Sequence, residues 1–243
     1  MVFIAAGKGS RLTLVTNGIP KPLIILFDKP LIDILVQNCI NVGIHDIVIV
    51  TGYREDLITN HFGDVTSDLR IEFVYNSDWE FPNGLSVLAA KKTIPKGEEF
   101  LVSMSDHFYL TDLLNKVKDS SLKATIVNVG IDYNLERIHD MNDAMKVKVK
   151  GGDNLINSMS KQLTDYDAVD CGVFKCRYEF FSILELAREK ARYSLSEGCE
   201  LLISKDNLGG VNIGDSFWID IDTPESLEYC RRNRQMFSLN FTY

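Results

Sequence analysis

Three groups of residues in this 243-residue chain have the types and spacing for chemistry. The first is Ala5-Ala6-Gly7-Lys8-Gly9-Ser10-Arg11-Leu12, directly after a short apolar run. Glycines one residue apart let the backbone turn sharply and approach a ligand closely. Successive N–H groups in such a turn form a concavity for phosphate oxygens. Lys8 and Arg11 add positive charge beside it. The spacing is neither that of a GxxxxGK[ST] loop nor that of a dinucleotide fingerprint, which needs a third glycine. The second group is Ile19-Pro20-Lys21-Pro22-Leu23. Its prolines fix φ and bias Lys21 towards extended backbone, so the lysine is a positioned charge. The third group is carboxylates. Asp106 stands at the carboxyl end of the largely apolar run 100–104, and Asp220 and Asp222 alternate in Trp218-Ile219-Asp220-Ile221-Asp222-Thr223, so they point to one side of a strand. Mg²⁺ takes one or two carboxylates plus phosphate oxygens and water, and acids from two distant strands suit it. Each signal alone also reads as ordinary structure: a strand-to-turn loop, an exposed lysine, a solvated Asp220, an Asp222 that helps to cap a helix.

These groups need a scaffold, and the hydrophobic pattern supplies one. Residues 2–5, 47–50, 70–75, 100–104 and 125–129 read as strands, and 31–42, 84–94 and 110–117 as helices. Residues 47–50 are wholly apolar, which marks a strand covered on both faces. Strands alternating with helices through short connections predict a Rossmann-like, mostly parallel α/β sheet with helices on both faces. Ligands bind such sheets beyond the carboxyl ends of the strands, which is where Asp106 falls. The second half changes character. Residues 144–150 alternate apolar and charged, a half-exposed strand with Lys146 outward, and 169–175 and 217–221 are further strands, giving a small mixed β region. Residues 178–191 read as a helix, Ser194 and Glu197 form a capping box for another through about residue 203, and Thr223 with Pro224 opens a last one. No linker marks a boundary, so one domain over residues 1–243 is expected, and the residues after Met236 read as a frayed tail or a truncation point.

Composition narrows the partners. Twenty-six basic against 34 acidic residues give a net charge of −8, which argues against nucleic acid and anionic membranes as partners. No apolar run reaches the roughly 18 residues a membrane span needs. Five scattered cysteines read as reduced thiols in a cytoplasmic protein, with Cys171 and Cys176 on opposite faces of one strand.

The loop AAGxGxRL followed closely by PKPL resembles the nucleotidyltransferase family that makes nucleotide-activated sugars and alcohols. The resemblance implies a nucleotide-diphospho-sugar transferase fold, with an NTP-binding half over about residues 1–130 and an acceptor-binding half over 131–243. It implies that Ala5, Ala6, Gly7, Lys8 and Gly9 wrap a triphosphate, that Lys8, Arg11 and Lys21 neutralise phosphates during transfer, and that Asp106 acts with them. Asp106 and Asp222, with Asp220 as a further candidate, would hold Mg²⁺. Ser105 joins the nucleotide contacts; Thr51 and Gly52 form a wall of the crevice; Asn83, Gly84 and Ser86 read the base. His107 either bonds a phosphate or orients Asp106. Within the family, NGLSVLAAKK, SMSDHFY, SKQLTDYDAVDCGVF and WIDIDTPESL resemble the CTP:inositol-1-phosphate cytidylyltransferases. This implies CTP and inositol 1-phosphate as substrates and CDP-inositol as product. Lys21 and Lys161 would face the acceptor phosphate, and Asp170 the inositol hydroxyls. One departure is Asp170-Cys171-Gly172, where that group commonly shows Asp-Thr-Gly. Such enzymes also occur fused to a membrane-embedded synthase, so the chain is either a stand-alone form or an excised domain, and an oligomer is open. The rival readings are a choline-phosphate cytidylyltransferase, with Trp79, Tyr109 and Tyr133 as walls for a cation, a sugar-1-phosphate nucleotidyltransferase, or a non-catalytic nucleotide-binding subunit. Retention of Lys8, Arg11, Lys21, Asp106 and Asp222 together speaks against the last.

Overall fold

The apolar residues 47–50 lie at the centre of the sheet, where a strand without a polar face can be covered on both sides. The computed structural model describes residues 1–12, 16–63, 69–151 and 154–234. Strand β4 (Asp46–Thr51) lies parallel to β1 (Val2–Ile4), with Phe3 opposite Ile49. On its other side it pairs in parallel with β5 (Arg70–Tyr75). Strand β6 (Glu99–Met104) flanks β1, again in parallel, with Ile4 opposite Met104. These four strands are the parallel core. All of them end on the same edge, so the loops after β1, β4 and β6 share one crevice.

Alternate residues of these strands enter two separate apolar clusters. Phe3, Ile49 and Leu101 pack with Leu31, Leu35 and Cys39 of α1 (Leu31–Asn41), Ile58 of α2 (Glu55–Phe62), and Leu113 and Val117 of α4 (Thr111–Asp119). Val2, Ile4, Val48 and Val102 pack on the other face with Val87 of α3 (Gly84–Ala89), Phe180 and Leu184 of α5 (Phe180–Glu189), and Cys199 and Leu202 of α6 (Leu195–Ile203). A side-chain period of two makes both faces apolar, and helices on both sides follow. Cys171 belongs to the first cluster and Cys176 to the second, as their odd spacing requires.

The mixed region is organised by β11 (Ala168–Arg177). It runs antiparallel to β6, to β8 (Val127–Asp132) and to β9 (Lys146–Val149). Strand β10 (Ile156–Ser160) pairs with β9, and β12 (Leu208–Asn212) lies parallel to β8. A short pair crosses the site: β7 (His107–Tyr109) against β13 (Trp218–Asp220), with Asp220 opposite His107. The register of β11 against β8 shifts between Asp170 and Phe174, where Gly172 takes φ 74°. That bulge re-aims the strand next to the crevice.

Helix α6 starts at the Ser194–Glu197 capping box, and α7 (Pro224–Arg232) at Thr223 with Pro224 in its first turn. Each cap contributes about 1 kcal/mol. Elsewhere the pattern was too weak to read. Strands β10 and β12 have the sequences INSMS and LGGVN, with few apolar residues, and exist because a neighbour offers a ladder. The turn of the hairpin β2 (Ile25–Leu26)–β3 (Lys29–Pro30) puts Phe27 and Asp28 at φ 54° and 68°, without the glycine that marks such turns in sequence. Strand β7 and helix α2 also lacked a legible signal. Helix α3 ends at Ala89, and a 3₁₀ turn (Ala90–Lys92) completes the run before Pro95. Lys146, expected outward, is buried: its Nζ donates to the Lys161 carbonyl at 2.8 Å and lies over the Tyr166 ring. The tail expected after Met236 lies outside the described residues. Among the described residues no helix is long and apolar enough to cross a membrane.

Candidate active site

The glycine loop leaves β1 with Ala5 N–H bonded to the Val50 carbonyl and the Ala6 carbonyl accepting from Tyr53 N–H. Gly9 takes φ 61°, and a Cβ there would lie 2.7 Å from Lys21 Cγ, so the loop passes directly over the Lys21 side chain. The prolines act differently from the sequence expectation. The extended residue is Pro20 (φ −54°, ψ 139°), and Lys21 opens a 3₁₀ turn (Lys21–Leu23). Bonds from Leu23 N–H to the Pro20 carbonyl and from Ile24 N–H to the Lys21 carbonyl hold that turn against the bias of Pro22. Lys21 is rigidly placed all the same.

A cavity of about 230 Å³ opens under this loop, lined by Gly7, Gly9, Lys21, Trp79, Ser86 and Ser105 among others. Gly52 is required for its wall: a Cβ would sit 2.4 Å from Trp79 Cβ and 2.8 Å from the Ala6 carbonyl. Lys8 is exposed, with its Nζ 5.8 Å from the Tyr53 ring centre. Ser86 accepts from Asn76 Nδ2 at 3.1 Å. Ser105 donates to the Ile4 carbonyl, tying β6 to β1. Thr51 is fully buried, with Glu55 and the Val74 carbonyl as its partners, and does not line the cavity. Gly84 is needed for packing, since a Cβ would lie 2.6 Å from the Tyr193 carbonyl.

A second cavity, about 250 Å³, lies on the other side of Asp106. Asn83, Met104 and Asp106 line both. Asn83 also accepts from Leu195 N–H at 3.0 Å, joining α6 to the site. The second cavity is walled by side chains of distant elements: Asp143, Lys161, Asp170, Trp218, Asp220 and Asp222. Asp170 accepts from Gly172 N–H at 2.7 Å. Burial pushes its carboxyl up to about 6, against the pull of that N–H and of His107. Trp218 is fixed by Asp132, a fully buried acid that accepts its indole N–H at 2.9 Å and pairs with Arg137 at 2.7 Å.

An ionic chain joins the two cavities. Lys21 Nζ lies 3.0 Å from Asp106 Oδ2 and also pairs with Asp222. Arg11 pairs with Asp222 and, at 2.7 Å, with Asp143, whose other oxygen takes Lys161 Nζ at 2.6 Å. His107 Nδ1 is 3.0 Å from Asp106 and 3.8 Å from Asp220, and its ring stacks on Trp218 at 13°. Gly172 makes room for it: a Cβ there would be 2.6 Å from His107 Cδ2. Burial opposes charge on both Asp106 and His107, and their partners outweigh it. Lys21 and the His107 hydrogen bond hold the Asp106 carboxyl well below the usual range. Asp220, Asp106 and Asp170 raise the His107 imidazole to about 9. Burial raises the Asp220 carboxyl, with the Asp106 charge adding to it and His107 opposing.

The donor set fits a divalent cation. Oxygens of Asp143, Asp220 and Asp222 lie within 4.8 Å of one another, as do ligand atoms of Asp106, His107 and Asp220. Asp220 Oδ1 is buried without a hydrogen bond. Hard carboxylate oxygens suit Mg²⁺. The sequence-derived Arg11, Lys21, Asp106, Asp170, Lys161, Asp220 and Asp222 all line a cavity or join the ionic chain, whereas Lys8 lines neither cavity and has the Tyr53 ring as its neighbour. Asp143 and Trp218 join the site without a sequence signal of their own; Asp143 stands in a polar loop with no periodic neighbour to announce it. Cys171, at the departure from the common motif, is wholly buried and lines neither cavity.

Residues 1–137 match the family described as Nucleotidyl transferase. Over 238 residues the chain is 31% identical to the "Bifunctional IPC transferase and DIPP synthase" of Aquifex aeolicus (strain VF5), covering 95% of this chain and 50% of that protein. It is 28% identical over 229 residues to the "Bifunctional protein GlmU" of Methanococcus aeolicus, covering 93% and 52%. The chain thus spans about half the length of these curated relatives. Its fold is that of the inositol-1-phosphate CTP transferase from T. maritima, with a TM-score of 0.81 at 23% identity over 94% of this chain and 93% of the other.

Proposed function

The chain belongs to the nucleotidyl transferase family, and from that premise we propose that it transfers the cytidylyl group of CTP to inositol 1-phosphate, giving CDP-inositol and pyrophosphate. One observation carries this reading: two cavities meet at Asp106, the first roofed by the glycine loop and the second walled by Lys161 and carboxylates. The names of the Aquifex aeolicus relative and of the T. maritima enzyme support the choice of nucleotide and acceptor. In this reading residues 1–130 serve mainly the nucleotide and 131–243 mainly the acceptor.

An acceptor phosphate oxygen attacks the α-phosphorus, a new P–O bond forms, and the bond to pyrophosphate breaks. The nucleophile is already anionic, so no general base is needed. Catalysis is then positioning plus charge neutralisation. Lys21, at the junction between the cavities with Asp106 and Asp222 as its partners, faces the phosphoryl centre. Lys8 and Arg11 stabilise the departing pyrophosphate. Lys161 takes the acceptor phosphate, and Asp170 takes hydroxyl hydrogen bonds. Asp106, Asp222 and Asp220 would hold Mg²⁺, which when bound neutralises phosphate charge and aligns the two substrates. His107, locked between Asp106 and Trp218, keeps the Asp106 carboxylate ionised and oriented.

The acid-rich second cavity also suits a cationic acceptor such as phosphocholine. Trp218 is an aromatic wall of that cavity, but the three aromatics named for that reading are elsewhere. Tyr109 is fully buried, Trp79 lines the first cavity, and Tyr133 lines neither. A pyrophosphate-release assay with the four NTPs and a panel of phosphorylated acceptors tests the proposal. CTP with inositol 1-phosphate is expected to give the highest kcat/KM, with loss of activity in EDTA and recovery with Mg²⁺. A higher value for phosphocholine or a sugar 1-phosphate overturns the acceptor assignment.

A further inference from the structure

Arg11 belongs to the glycine loop and Lys161 to the turn after β10, yet a single carboxylate holds both. Asp143 Oδ2 accepts from Arg11 at 2.7 Å and its Oδ1 from Lys161 at 2.6 Å. The other guanidinium nitrogen of Arg11 is taken by Asp222. Despite partial burial, the Lys161 and Arg11 hydrogen bonds hold the Asp143 carboxyl below its usual range. Two of the cations assigned above to phosphates, Arg11 for the nucleotide and Lys161 for the acceptor, are therefore occupied by acids of the protein itself. A triphosphate entering under the glycine loop competes with Asp143 for Arg11. Once Arg11 moves, Asp143 keeps Lys161 and Asp222 keeps Lys21, but the three carboxylates of Asp143, Asp220 and Asp222, with oxygens within 4.8 Å, lose the cation that Asp143 and Asp222 share.

We propose that Asp143 is a positioning residue that couples the two cavities, sequestering Arg11 and Lys161 in the free protein and yielding Arg11 when nucleotide phosphates bind. The inference rests on the assignment of the glycine loop to those phosphates. Asp143 acts here as a competitor built into the fold, so its removal strengthens the binding of nucleotide phosphates through Arg11, the cation on the nucleotide side, while Lys161 is freed on the acceptor side.

The test is calorimetric titration of the full chain with inorganic tripolyphosphate, and in parallel with CTP, in EDTA and without acceptor. Asp143→Asn is expected to bind both about threefold more tightly, the scale of one partly exposed ion pair. Asp143→Ser, with the same expectation, replaces it should the asparagine variant fail to fold by circular dichroism. Arg11→Met is expected to bind more weakly than wild type, and adding Asp143→Asn to it is expected to change nothing further. Two outcomes overturn the proposal: no tightening in Asp143→Asn, or the same tightening with and without Arg11, which would mean a general field effect. Wild-type affinity in Arg11→Met instead removes the phosphate assignment of the glycine loop, and this inference with it.

Discussion

The two cavities that meet at Asp106 are built by different means. The first is shaped mainly by backbone: Ala5, Gly7 and Gly9 of one loop, the Gly52 notch against Trp79, and the start of α3. The second is shaped by charged side chains brought from β7, the loop before β9, the turn after β10, the bulge of β11 and the segment after β13. A phosphate chain is the same in every nucleoside triphosphate, and N–H groups at a sharp turn serve it without regard to the rest of the molecule. An acceptor must be told from similar polar molecules, and that takes side-chain hydrogen bonds at fixed positions. The contrast teaches where change is tolerated: substitutions in the first region act through backbone geometry, those in the second through single functional groups.

The largest effect comes from the junction, where the contrast vanishes. Asp106→Ala and Lys21→Ala are each expected to lower turnover at least about a hundredfold. Steady-state kinetics with far-UV circular dichroism checks this, and a wild-type rate in either folded variant removes the junction from the chemistry. Next come the two notches. A Cβ at Gly52 displaces Trp79, and one at Gly172 meets His107 from a positive-φ backbone. Gly52→Ala is expected to raise KM for CTP about tenfold, and Gly172→Ala to raise KM for the acceptor about tenfold with about 1–3 kcal/mol of stability lost. Reversal of the two KM patterns would break the division into regions. Lys161→Met is smaller: about a fivefold rise in acceptor KM, with kcat within twofold of wild type. The smallest change is Cys171→Thr, which restores the commoner motif. Its side chain points into the apolar cluster beneath the sheet and near the Val169 carbonyl. Acceptor KM should move by less than about twofold, since the residue touches no part of the cavity. A larger shift would mean that the hydroxyl reaches the acceptor.

Much of the first region was legible because its parts are local. The β1 loop, the start of α3 and the end of β6 each carry their turn and residue-type signals within a few residues, and Pro20 to Pro22 mark a stiff segment although Lys21 proves to open a 3₁₀ turn. The apolar run 47–50 likewise announced its double burial. The second region resisted. β10 and β12 carry too few apolar residues to read as strands, and Asp143 looks like any acid in a polar loop. Lys146 alternates with valines as an outward residue would, yet it is buried because its ammonium finds the Lys161 carbonyl and the Tyr166 ring.

The amino-acid order alone determined the parallel core, the caps at Ser194 and Thr223, and the chemical kind of Lys8, Arg11, Lys21, Asp106, Asp220 and Asp222. These depend on side-chain period, on capping groups and on residue type, all of which are properties of short stretches. Only the tertiary structure decided which acid faces which base. Arg11 meets Asp143 across 132 positions and Asp222 across 211, and Lys21 meets Asp106 across 85. Coulomb interaction depends on distance through space, and that distance is set by how the strands are laid side by side, not by their separation along the chain.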